Sequence, residues 1–169
     1  MRKACLLIGL FCMVSLATRA QSDSDKVELF GGYSYMWFDH SPKFTNATRF
    51  SSFEVSGEYK FTDWLGGVGE FGAGVGNLGI PPSILTFLVG PQISYPGRIS
   101  PFAHVLVGGA RFAGGDAVTN FSTAIGAGLD WKIGRHFSWR IVQGDYLMTR
   151  FFSATQHNTR ASTGIVIRF

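Results

Sequence analysis

Charged side chains spaced two or four apart, each flanked by apolar or aromatic neighbours, are the chemically informative residues of this chain. Glu54 and Glu58 stand between Phe53, Val55 and Tyr59, and Asp130 stands between Leu129 and Trp131. The same setting holds Glu28, Glu70, Arg140, Arg160 and Arg168, with Lys60 and His104 in equivalent positions. Acids and bases nearly balance in this set. If strand geometry turns them to one side, they share an enclosed interior and must pair, because an isolated buried charge is costly. The chemistry expected of them is therefore an internal network of ion pairs and hydrogen bonds.

Other chemistries find less support. A hydrolase would need a Ser, a His and an acid converging at one place. The four histidines are His40, His104, His136 and His157, and only His136-Phe-Ser138 sets His beside Ser on one strand face. The next acid on that stretch is Asp145, too far along to complete a triad. No pair of His or Cys has metal-ligand spacing. The glycine-rich run from Gly66 to Gly76 lacks the following helix and Lys-Ser/Thr of a phosphate cradle. No enzyme activity, metal or cofactor is expected.

The elements that must position these residues are strands. Eight segments alternate with period two: residues 26–38, 50–61, 65–75, 84–95, 101–112, 120–131, 137–149 and 160–169. Phe50 to Phe61 is the clearest, with Phe53, Val55, Tyr59 and Phe61 on one register and Ser52, Glu54, Ser56 and Glu58 on the other. The alternation slips at Val142-Gln143-Gly144-Asp145, where a bulge at Gly144 would return Asp145 to the interior. Connections alternate in length. Those after the second, fourth and sixth segments are short; those at 39–49, 76–83, 113–119 and 150–159 are longer. The 22 glycines, with 16 Phe, 5 Tyr and 4 Trp, suit many strands and tight turns.

The beginning of the chain reads as an export signal. Met1-Arg2-Lys3 is basic, Ala4 to Ala17 is apolar, and Thr18-Arg19-Ala20 places small residues at a cleavage site. The expected organisation is a signal peptide at 1–20, a tail at 21–25 and one β domain at 26–169. Both cysteines, Cys5 and Cys12, lie in the signal, so no disulfide is expected in the mature chain. The net charge of +4 shrinks as well: without Arg2, Lys3 and Arg19, 12 of the 15 basic residues face 11 acidic ones. No basic tract remains for nucleic acid.

A soluble sandwich also alternates, but it buries its apolar face. Three features favour the opposite arrangement. Connection lengths alternate; Trp37, Trp64, Tyr95, Trp131 and Trp139 gather at strand ends; and the chain closes on Gly164-Ile-Val-Ile167-Arg-Phe169. These point to an all-β fold, an eight-stranded antiparallel transmembrane up-and-down β-barrel with both termini on the periplasmic side. The aromatics would then form interface girdles. An eight-stranded barrel is narrow enough to be filled by its own side chains.

At this point the sequence resembles the small OmpA-like and OmpX-like bacterial outer-membrane barrels. The resemblance rests on Val27-Glu-Leu-Phe-Gly-Gly-Tyr-Ser-Tyr35, Trp64-Leu-Gly-Gly-Val-Gly-Glu-Phe-Gly72, Pro101-Phe-Ala-His-Val-Leu-Val-Gly-Gly109, Gly126-Ala-Gly-Leu-Asp130 and the closing Thr163 to Phe169. It implies residence in outer-membrane lipid, delivery by the barrel-insertion machinery through Gly164, Ile167 and Phe169, and a role in envelope integrity or surface interaction. Surface ligands would meet the long connections at 39–49 and 150–159. The alternatives are a narrow pore and a lipid-modifying enzyme; His136-Phe-Ser138 is similar to the His-x-Ser of outer-membrane lipid A deacylases, but falls at a short turn.

Overall fold

The computed structural model describes residues 26–38, 49–76, 83–113, 119–151 and 154–169. The expected signal and tail, and most of the connections at 39–49, 76–83 and 113–119, lie outside the described residues. Within them are β1 (Val27–Phe38), β2 (Arg49–Lys60), β3 (Leu65–Gly76), β4 (Ser83–Ser94), β5 (Ile99–Ala113), β6 (Thr119–Lys132), β7 (Phe137–Phe151) and β8 (Ala154–Arg168). Each strand pairs antiparallel with the next, and β8 returns to β1, from Glu28↔Arg168 to Phe38↔Asn158. The barrel is closed, so the sheet presents no free edge.

Period two decides what faces where. On β2, Ser52, Glu54, Ser56 and Glu58 are buried, whereas Phe53 is 71% exposed and Val55 52% exposed. The sides are inverted relative to a soluble protein: large apolar side chains cover the outside of every strand, and most of the buried side chains in the centre are polar or charged. The three short turns are held by local bonds. Phe61 N and Thr62 N donate to Leu65 O, and Ile133 N and Gly134 N donate to Phe137 O. At the third, Tyr95 N donates to Pro101 O, and Ser100 Oγ donates to Tyr95 O at 2.7 Å.

The β1–β8 seam needs Gly164. A Cβ there would collide with the carbonyl oxygen of Gly31 on β1, so only glycine lets the last strand close on the first.

Two sequence expectations are corrected. The bulge in β7 is not at Gly144. Leu129 pairs with Val142 and Asp130 with Arg140, which makes Ile141 the extra residue. Ile141 and Val142 then both face outward, Gln143 and Asp145 face inward, and Gly144 lies outside. The reason is polarity: a bulge at Gly144 would have turned Val142 inward and Gln143 outward. Nor is 150–159 a long connection. β7 and β8 pair as far as Phe151↔Ala154, leaving only residues 152–153 between them. Polar residues occupy both registers from Thr155 to Thr159, so this stretch has no hydrophobic alternation to reveal its strand.

Candidate functional site

The interior is the chemically dense part of the molecule. Arg160 on β8 sits at its centre, among the most deeply buried large side chains. Its Nη1 lies 2.6 Å from Glu70 Oε1, its Nη2 2.7 Å from Asp145 Oδ2 and its Nε 3.5 Å from Glu54 Oε2. Four strands, β2, β3, β7 and β8, thus converge on one guanidinium. Glu54 also accepts hydrogen bonds from Ser34 Oγ at 2.9 Å, Ser162 Oγ at 2.7 Å and Gln143 Nε2 at 3.0 Å.

The network continues through His104 on β5. Its Nε2 is 2.9 Å from Asp145 Oδ1 and its Nδ1 3.4 Å from Gln92 Oε1. Gln92 Nε2 donates in turn to Glu58 Oε2 at 2.6 Å. Room for this pair comes from β6, because a Cβ at Gly126 would overlap Asp145 Oδ1 and crowd His104 Nε2.

One layer toward the short turns, Arg140 binds Asp130 with two parallel bonds, Nε to Oδ1 at 2.8 Å and Nη2 to Oδ2 at 3.1 Å. Its guanidinium is sandwiched between the rings of Phe30 and Phe102, at 4.3 and 4.1 Å from their centroids. Arg140 Nη1 also donates to Gln143 Oε1 at 2.7 Å, joining the two layers. At the mouth, Glu28 is shared by Lys60 and Arg168, whose Nε donates at 2.7 Å. The lumen charges named from the sequence therefore form two linked layers and a separate rim cluster, all of them buried except the half-buried Lys60. Gln143 is the hub that sequence reasoning missed. The signal that could have found it was the adjacent Ile141-Val142 pair, which places the bulge ahead of Gln143 and not after it.

The interior holds little free space. A cavity of about 10 Å³ lies beside Glu58, Gln92 and Arg140, and another of about 10 Å³ beside Arg160. Each has room for about one water. Met36, Val68, Ile84, Leu88, Leu106, Ala124 and Leu147 form an apolar cluster inside the barrel.

The remaining predicted residues lie on the outside or at the seam. Trp64, Tyr95, Trp131 and Trp139 are exposed around the short-turn end, Trp131 pairing with Trp139 across β6 and β7. Trp37 is exposed at the far end of β1. Phe169 N donates to Val27 O at 2.9 Å, and Ile167 and Phe169 are half-buried.

No family model matches the sequence, and neither does any curated protein. Solved structures do match in shape. Neisserial surface protein A aligns with 88% of this chain and 100% of its own, at a TM-score of 0.72 and 9% identity. The β-barrel domain of Pseudomonas aeruginosa OprF gives 0.59 over 87% of this chain and 100% of its own, at 11% identity. Ail, the attachment invasion locus protein of Yersinia pestis, gives 0.57 over 85% and 97%, at 17% identity. The fold is that of the small eight-stranded outer-membrane barrels. As in any such barrel, chemistry must be argued from this chain's own side chains.

Within this outer-membrane barrel fold, the His-x-Ser pair is not assembled for catalysis. His136 is exposed on its turn, with Nδ1 3.2 Å from Arg168 O. Ser138 is buried in the lumen, where its Oγ receives the Arg168 guanidinium rather than a base. Glu70, His104 and Asp145 place one ligand atom each within 4.8 Å of one another, which is the spacing of a loose metal site. Arg160 already occupies the space between Glu70 and Asp145, and its positive charge opposes a second cation there.

Proposed function

We propose that this chain is an integral outer-membrane protein whose barrel is a closed anchor, with a structural or surface-interaction role carried by the connections opposite the termini. The observation that carries this reading is the inversion of polarity. A ring of exposed Phe, Val, Ile and Tyr surrounds all eight strands, while the lumen holds paired charges and other polar side chains alongside one apolar cluster. Soluble proteins seldom expose an apolar surface of that extent; hydrocarbon favours it. Residues 1–20 then serve as the export signal, 21–25 as a short tail and 26–169 as the barrel. Gly164, Ile167 and Phe169 present the terminal strand to the insertion machinery. Trp37, Trp64, Tyr95, Trp131 and Trp139 rest at the two lipid interfaces.

A ligand-binding role at the surface has support from one similar structure. Ail was solved in complex with the heparin analogue sucrose octasulfate, at a TM-score of 0.54 to this chain. In this chain the connection at 39–48 carries His40 and Lys43, and it is the first place to seek such a ligand.

Membrane fractionation with heat-modifiable gel mobility tests the placement. The mature protein is expected in the outer membrane and to need detergent; a freely soluble monomer overturns the reading. Val55→Arg, facing out near the middle of β2, is expected to cost about 2–4 kcal/mol in folding into lipid. The pore reading is opposed by the filled lumen, and planar bilayers are expected to show no sustained conductance. Mass spectrometry of lipid A, with and without the protein, is expected to show no change.

A further inference from the structure

The mouth at the short-turn end is a cavity of about 250 Å³ whose lining includes Lys26, Lys60, Lys132 and Arg168 against Glu28 and Asp63. Four cations thus meet two acids in one concavity. Glu28 is already shared, pairing with both Lys60 and Arg168, and Asp63 lies exposed on its turn. Lys26 is exposed just ahead of β1. Among the described residues no ion pair reaches it.

The register fixes where these charges aim. Lys60 and Lys132 stand two residues from Glu58 and Asp130 and so share the lumenal register of β2 and β6, and Lys26, just ahead of β1, stands two residues before the lumenal Glu28. The cavity therefore opens along the barrel axis and not toward lipid. Low-dielectric walls focus the field of charges grouped in a concavity. Lys and Arg converging on a small space recognise oxyanions, by charge and by multiple N–H donors.

We propose that this mouth binds a small, multiply charged, soluble phosphate compound, of phosphate to pyrophosphate size. The site is distinct from the surface connections and from the central network. Only the side of the membrane from which the ligand arrives rests on the placement proposed above.

The test is a titration of the full mature chain, folded in zwitterionic micelles, with pyrophosphate followed by ³¹P NMR at low salt. Saturable binding is expected. Lys26→Gln with Lys132→Gln should weaken it about tenfold or more, equivalent to about 1.4 kcal/mol. Lys26→Glu alone should weaken it too, and this exposed position should leave heat-modifiable mobility unchanged. Arg98→Gln, on a neighbouring turn, should have no effect. Repeating the titration in nanodiscs of phosphatidylcholine and of phosphatidylglycerol separates the sources of phosphate. A soluble ligand predicts similar affinity in both. Absence of saturation, an affinity indifferent to the Lys26 variants, or loss of pyrophosphate binding confined to phosphatidylglycerol discs would overturn the proposal. Because binding is read on folded protein, its failure leaves the membrane placement untouched.

Discussion

The centre of the lumen and its mouth use the same ion-pair chemistry to different ends. At the centre, one guanidinium faces three carboxylates, Glu54, Glu70 and Asp145, and each group is almost wholly cut off from water. At the mouth, two cations share one carboxylate, and the Lys60 side chain keeps 18% of its exposure. The centre is acid-rich and closed by neutral helpers: Gln143, Ser34, Ser162 and Gln92. The mouth is base-rich and reaches solvent through Lys60. Depth makes the difference, because an unpaired charge is expensive only where water cannot reach it.

The largest effect that would test this contrast is at Arg160. Arg160→Leu leaves three buried carboxylates without their cation and is expected to cost about 3–5 kcal/mol, read by urea unfolding in lipid vesicles. A cost below that of a mouth variant would erase the distinction. Gly126→Ala is next. The new methyl must displace the Asp145–His104 pair, and a loss of about 1–3 kcal/mol is expected. If the same assay shows no loss, the centre is looser than its geometry implies. Lys60→Met should cost under about 1 kcal/mol, as befits a pair within reach of solvent. Smallest of all is the response to salt. Raising sodium chloride to 1 M should narrow the gap between Lys60→Met and the parent, because screening weakens the mouth pair. It should leave the Arg160→Leu penalty unchanged.

The sequence disclosed which side chains face inward far better than which of them meet. Period two placed Glu54, Glu58 and Ser52 on the lumenal side of β2 and Phe53 and Val55 on the other, because each face of a strand sees one solvent. Depth along the axis is not written in that period. It depends on the stagger between strands, which brings Gln143 and Glu54, 89 residues apart, within 3.0 Å. Gln143 itself was hidden by the bulge, since two consecutive outward residues shift the count by one. The far end of β8 escaped notice for another reason. Asn158 faces the lumen and donates to Thr149 Oγ1 at 3.4 Å, but polar neighbours on both registers left no contrast to read. The role of Glu28 as a shared partner was likewise invisible, because Arg168 reaches it only through closure of the last strand on the first.

Ile141 carries a consequence for how this chain can change length. From Phe137 to Arg140, losing one residue would swap the two faces on one side of the gap, setting Asp145 toward hydrocarbon and Tyr146 toward Arg160 if the rest of the strand kept its sides. Losing either Ile141 or Val142 would merely straighten the strand, with Arg140, the remaining outward residue and Gln143 keeping the sides they already face. A scan of single-codon deletions along β7 should find its tolerated gap there.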